Sequence, residues 1–149
     1  MVIIRKMEAG DISEVLRMMD AFYASPAVIT DTPHSVLAQD VQDCIGADPM
    51  VDGYVFEDGA VLAGYAMVSQ GYTTDCGGRS IWLEDLYLKP EYRNLGLGGR
   101  FLDFMENRYT AVRYRLELEE DNLRARHVYE KKGYRQLRYI QMTKDPYNH

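Results

Sequence analysis

The stretch LEDLYLKPEYRNLGLGGRFLDFM, residues 83–105, constrains this chain more than any other. An apolar, β-rich run stops at Lys89-Pro90, because proline has no N–H to donate to a sheet ladder. A loop with Gly96, Gly98 and Gly99 follows, and Phe101, Leu102, Met105 and Tyr109 then share one helical face. The alternating VRYRLELE (112–119) supplies a second strand. A strand, a helix and a strand joined this way form a crossover unit over 80–119, so strands 80–88 and 112–119 are expected to lie parallel or splayed.

The flanking sequence predicts further elements. VIIRKM (2–7) reads as a strand and GDISEVLRMMDAFYAS (10–25) as a helix, with Asp11 at the N-cap and Glu14 at capping-box spacing. HSVLAQDVQDCIGAD (34–48) carries Leu37, Val41 and Ile45 four residues apart, a second helix. Strands 53–58 and 60–72 meet at Asp58-Gly59, a hairpin signal. NLRARHVYEKKG (122–133) reads as a helix closed by glycine, and YRQLRYIQMTK (134–144) as a last strand. The 149 residues fit one domain, 1–149, without repeats or linkers. A hairpin meander followed by βαβ units predicts an α/β or α+β sheet with helices on its faces.

A glycine loop opening a helix suits an anion, since the first N–H groups of the helix lack internal partners and its dipole favours negative charge. The dinucleotide fingerprint would need glycine at position 101, which is phenylalanine, and the P-loop would need Gly-Lys-Ser/Thr. Both are excluded. A shorter pattern remains, Arg93-Asn94-Leu95-Gly96-Leu97-Gly98-Gly99, able to meet a pyrophosphate with backbone donors.

Composition narrows the partners. With 17 basic and 23 acidic residues the formal charge is −6, which argues against nucleic acid and is compatible with a cationic substrate. No run approaches the roughly 18–20 apolar residues of a membrane span, and the opening MVIIRKMEAGD is too short for a signal peptide, so a cytoplasmic, membrane-free protein is expected. Cys44 and Cys76 form no CxxC pair, and His34, His127 and His149 are scattered, so no metal is expected.

LYLKPEYRNLGLGGRFL resembles the coenzyme A pyrophosphate loop of the GNAT superfamily of acyl-CoA-dependent N-acyltransferases. A second element, EEDNLRARHVYEKKGYR (119–135), is similar to that family's last helix, and IIRKMEAGDISEVLRMM to its opening strand and helix. The resemblance covers residues 2–143, and within the superfamily the diamine and polyamine acetyltransferase branch looks nearest. It implies a mixed, mostly antiparallel sheet of about six to seven strands, splayed at its centre and flanked by about four helices. The implied activity is acetyl transfer from acetyl-CoA to the primary amine of a small cationic acceptor, by direct attack. Acetylation of a protein or peptide, or a non-catalytic acyl-CoA sensor, are the alternatives. A homodimer is also compatible with the family.

The resemblance assigns roles by position. Glu84 is the expected base, with Asp85 in reserve, since strict alternation would put the two on opposite faces unless a bulge intervenes. The backbone of Leu86, Tyr87 and Leu88 would pair with pantetheine as with an added strand. Arg93, Asn94, Leu95, Gly96, Leu97, Gly98 and Gly99 would hold the pyrophosphate. Asn122 and Ala125 would lie beside pantetheine, Asn122 also serving as an N-cap. Tyr129 is the expected acid for the departing thiolate.

Overall fold

Alternation between two apolar faces builds the sheet. In β2 (Val51–Asp58), Tyr54 and Phe56 turn to one side and Val55 to the other, and all three are buried. The computed structural model describes residues 1–146, so His149 lies outside them. Within these residues β1 (Val2–Lys6), β2, β3 (Val61–Thr73), β4 (Gly78–Leu88) and β5 (Arg113–Leu116) form one sheet in sequence order. The first four strands are antiparallel and β5 joins β4 in parallel.

Helices cover both faces, a three-layer arrangement. α1 (Ile12–Tyr23) and α2 (His34–Ile45) bury Val15, Met18, Met19, Leu37 and Val41 against Val55, Tyr65 and Met67. On the other face α3 (Leu97–Arg108) places Phe101, Leu102 and Met105 against Tyr54, Phe56, Val68 and Ile81. α4 (Leu123–Lys131) follows β5, and Asn122 caps it by accepting the Ala125 N–H at 3.2 Å. No described helix is long and apolar enough to cross a membrane.

Two expectations change, and a third, the parallel pairing and splay of β4 and β5, is met. The sheet has five strands among the described residues, not six or seven, because residues 134–146 lie outside any strand. Their alternation is a local signal, and a strand needs a neighbour to pair with. Asp11 does not cap α1 with its side chain; it accepts the Glu8 N–H at 2.8 Å and Arg5 at 2.8 and 3.0 Å, while Glu14 pairs with Arg17. That ion pair ties β1 to the turn before α1 and holds the Asp11 carboxyl below the usual carboxylate range. Finally, β4 and β5 pair only from Ser80–Arg113 to Leu83–Leu116. Residues 84–88 then have β3 as their neighbour on one side alone, so the pair parts where the loop toward α3 begins.

Candidate active site

The part of β4 left by β5 carries the acidic pair. Along β3 and β4 the register runs Met67–Asp85, then Val68–Leu83, so Glu84 is an extra residue bulged out of the ladder. A bulge cancels strict alternation. Glu84 accepts the Ser69 hydroxyl at 2.6 Å, and Asp85 accepts the hydroxyls of Tyr23 at 3.0 Å and Tyr65 at 2.8 Å. Tyr65 belongs to the core under α1 and α2, and Tyr23 ends α1, so both carboxylates serve that face. The bulge is the exception that strict alternation allowed for, and it puts both on one face.

Their environments differ. Glu84 is exposed, while Asp85 is 5% exposed. Burial pushes the Asp85 carboxyl up to about 6, against the lowering effect of its two tyrosine donors, with Asp40 and Glu84 raising it further. Asp40, on α2, is also raised, first by burial and then by Asp43 and Glu84. Tyr23 and Tyr65 are raised by burial and by Asp85, which keeps both hydroxyls protonated as donors. Phe22 and Tyr87 complete an aromatic wall, their ring centres 5.8 Å apart. Three carboxylates beside aromatic rings can receive a cation and take a proton from it.

The glycine loop follows directly. Pro90–Tyr92 makes one tight turn, and Arg93 folds back to donate to the Leu88 carbonyl at 2.8 Å with its guanidinium 5.6 Å from the Tyr87 ring. Asn94 (φ 62°) and Gly96 (φ 79°) adopt the left-handed conformation, which turns the chain into α3. The N–H groups of Leu97, Gly98 and Gly99 precede the first α3 bond, from Arg100 N–H to Gly96 O at 3.0 Å. Leu95 is exposed, whereas the Leu97 side chain is buried in the core, so Leu97 has only its backbone to offer. α4 closes over the same end: a Cβ at Gly99 would meet Lys132 Cε at 3.1 Å, and Lys132 donates to Asp103 at 2.8 Å.

Backbone donors with an arginine and a lysine nearby fit the pyrophosphate of coenzyme A, and the one-sided β4 segment Leu86–Leu88 fits an extended amide chain. Tyr129 stands elsewhere. It packs against the α3-side core with its ring 6.2 Å from Tyr134, and burial raises its hydroxyl above the ordinary tyrosine range. Ala125 lies one turn N-terminal to it on α4 and the cap residue Asn122 about two turns, joined by the cap bond. One cleft, about 770 Å3, is lined by Tyr129 but by none of Glu84, Asp85 or Arg93–Gly99. Sequence reasoning passed over Tyr23, Tyr65, Asp40 and Ser69, whose relevance comes from contacts 15 to 62 residues distant.

Fold and loop together define a class, and comparison with known proteins names it. The model of the Acetyltransferase (GNAT) family matches residues 16–134, and the chain belongs to this family. Thialysine N-epsilon-acetyltransferase of Sus scrofa is 31% identical over 109 residues, covering 68% of this chain and 63% of that protein. The chain thus spans somewhat under two thirds of that relative's length. The crystal structure of a possible acetyltransferase from Clostridium difficile 630 superposes with a TM-score of 0.81 at 16% identity over 99% of both chains. A predicted acetyltransferase from Clostridium acetobutylicum, crystallised with acetyl-CoA, superposes with a TM-score of 0.76 at 17% identity over 96% of both.

Proposed function

We propose that this chain transfers an acetyl group from acetyl-CoA to the primary amine of a small cationic acceptor. The observation that carries the reading is the bulge at Glu84, which sets two carboxylates on one face just before a pyrophosphate-sized glycine loop. The family match and the thialysine acetyltransferase relative support it. Membership alone leaves the acceptor open; the aromatic wall with Asp40, Glu84 and Asp85 favours a cation. The free cysteines, one of them the exposed Cys76, suit a cytoplasmic setting, and a homodimer, which the family resemblance allows, is the proposed active unit.

The residues divide the work as follows. An alkylamine arrives as an ammonium, with a pKa near ~10.4 like that of lysine. Exposed Glu84 removes that proton through water, and the freed nitrogen lone pair attacks the thioester carbon. A backbone N–H of Leu86–Leu88 stabilises the oxyanion that develops on the acetyl carbonyl. As the carbon–sulfur bond breaks, Tyr129 supplies a proton to the thiolate, and the second proton shed by the nitrogen as it becomes the neutral amide returns through water to the tyrosine oxygen. Leu95 to Gly99, with Arg93 and Asn94, hold the pyrophosphate, while Asn122 and Ala125 border the pantetheine arm. Asp85 keeps Tyr23 and Tyr65 in place and adds to the field that attracts the amine.

An amine panel assayed by thiol release tests the acceptor, with polyamines and lysine-like amines expected to outpace neutral or acidic ones. Thermal stabilisation by coenzyme A tests the donor separately. Absence of stabilisation at concentrations far above a micromolar affinity would remove the acetyl-CoA reading.

A further inference from the structure

Two side chains bracket the glycine loop. Tyr92 stands immediately before Arg93–Gly99 and Arg100 immediately after it. The Tyr92 hydroxyl donates to Asp58 Oδ2 at 2.6 Å, and Arg100 Nη2 donates to the Val2 carbonyl at 2.9 Å. The two acceptors are neighbours, because Val2 and Asp58 are register partners at the end of the β1–β2 ladder. Both ends of the loop are thus tied to one rung of the sheet, by contacts that span 34 and 98 residues of chain. Asp58 is itself fixed, since it pairs with Val61 across the hairpin whose turn has Gly59 at φ 61°. The Tyr92 ring packs against the α3-side core, which sets the reach of its hydroxyl.

Between these ties the loop has little of its own to hold it. Among the described residues, no N–H of residues 94–99 donates to a backbone acceptor, and Asn94 and Gly96 both take the left-handed conformation. Donors left free for a ligand do not also keep a loop in shape. Its span has to be set from outside.

We infer that Tyr92 and Arg100 are positioning residues, which tie both ends of the pyrophosphate loop to the Val2–Asp58 rung and so array its N–H groups before coenzyme A arrives. The inference rests on the acetyl-CoA reading above and adds what gives that loop its shape. A loop ordered only on binding loses affinity to the ordering, and a loop ordered in advance avoids that loss. Neither side chain needs to touch the ligand, since the Tyr92 hydroxyl is committed to Asp58 and Arg100 Nη2 to Val2. The Asp58-Gly59 pair, which reads in the sequence as a hairpin turn, thereby also serves the donor side.

Tyr92→Phe keeps the ring and removes the hydroxyl, and Arg100→Met keeps the stem and removes the donor. Each should raise the Kd for coenzyme A about three- to ten-fold, the worth of one hydrogen bond, and raise KM for acetyl-CoA with kcat unchanged. Acetylpantetheine, which has no pyrophosphate, should serve the variants as well as it serves wild type. Asp58→Asn keeps an acceptor for Tyr92 and should bind coenzyme A like wild type. Asp58→Ala should match Tyr92→Phe and add nothing to it in the double variant. The Arg100→Met loss should be the same at low and high salt, because its partner is a neutral carbonyl and not a phosphate. An equal loss with acetylpantetheine would assign both residues a general structural role and overturn the inference. A loss for Arg100→Met that fades with salt would make Arg100 a phosphate contact and overturn the tie at that end. If coenzyme A stabilises wild type and binds both variants as tightly, the ties have no such role while the acetyl-CoA reading stands. If coenzyme A does not stabilise wild type, the acetyl-CoA reading itself fails and takes the inferred role with it.

Discussion

Tyr65 donates its hydroxyl to Asp85 Oδ2 at 2.8 Å, from the strand next door, with Tyr65 wholly buried and Asp85 nearly so. Tyr23 at the end of α1 donates to the other oxygen at 3.0 Å. The carboxyl is thus well partnered yet deeply desolvated, and desolvation prevails, raising it to about 6.

A raised carboxyl has a defined effect on stability. Between 3.8 in the unfolded chain and about 6 in the folded one, the folded state holds a proton that the unfolded state has released. Stability from this group therefore falls as pH rises through that window and stays lowered above it. Asp85→Asn does not titrate, so its stability relative to wild type should rise from pH 4 to pH 7, by on the order of 2–3 kcal/mol. Denaturant melts at both pH values check this; a difference that does not change with pH would contradict the burial argument.

The bulge separates Glu84 from this buried pair. Glu84→Gln should lower kcat/KM by on the order of 10²- to 10⁴-fold and remove the acid limb of the pH profile. Coenzyme A should stabilise the variant as it does wild type, because no loop contact changes. An acid limb kept by Glu84→Gln and lost by Asp85→Asn would transfer the base to Asp85.

Two glycines of the loop should behave differently. Gly96 sits at φ 79°, so Gly96→Ala should destabilise the fold by about 1 kcal/mol or more whether or not ligand is present. Gly98 lies within α3, where an added Cβ would find only Leu86 Cδ2 at an ordinary 3.8 Å. Gly98→Ala should therefore melt at or above wild type, since alanine is the better helix former. If the loop holds the pyrophosphate as proposed, its coenzyme A affinity should nevertheless drop, because the methyl group would stand in that site. Calorimetric melts and titrations of both variants make the comparison.

Tyr129→Phe should reduce kcat by about 10- to 100-fold with little change in coenzyme A affinity, if its hydroxyl protonates the thiolate. The loss should shrink with an acetyl thioester whose thiol is more acidic, because such a group leaves without help. A loss equal for both donors would assign Tyr129 a packing role, in keeping with its contact with Tyr134.

Much of the fold around the glycine loop was legible in the chain. The β4–loop–α3–β5 order, the Asp58-Gly59 hairpin and the Asn122 cap all rest on residues a few positions apart, where proline, glycine and asparagine act through their own backbone chemistry. The acidic site was only half legible. Glu84 and Asp85 could be named, but their shared face depends on a bulge set by register against β3, and strict alternation predicts the reverse. Tyr23 and Tyr65 reach Asp85 from 62 and 20 residues away, a distance at which local periodicity carries no information.

The same division governs the C-terminal segment. The sequence determined its alternating pattern, as it determined the two apolar faces that build the sheet and the glycine loop that opens α3. Whether an alternating segment becomes a strand is decided by an edge that shares its hydrogen bonds, and among the described residues 135–146 share none with a sheet edge. Tertiary structure alone decided the bulge, the buried carboxylate with its tyrosines and the open edge of β5, because each depends on how distant parts of the chain meet.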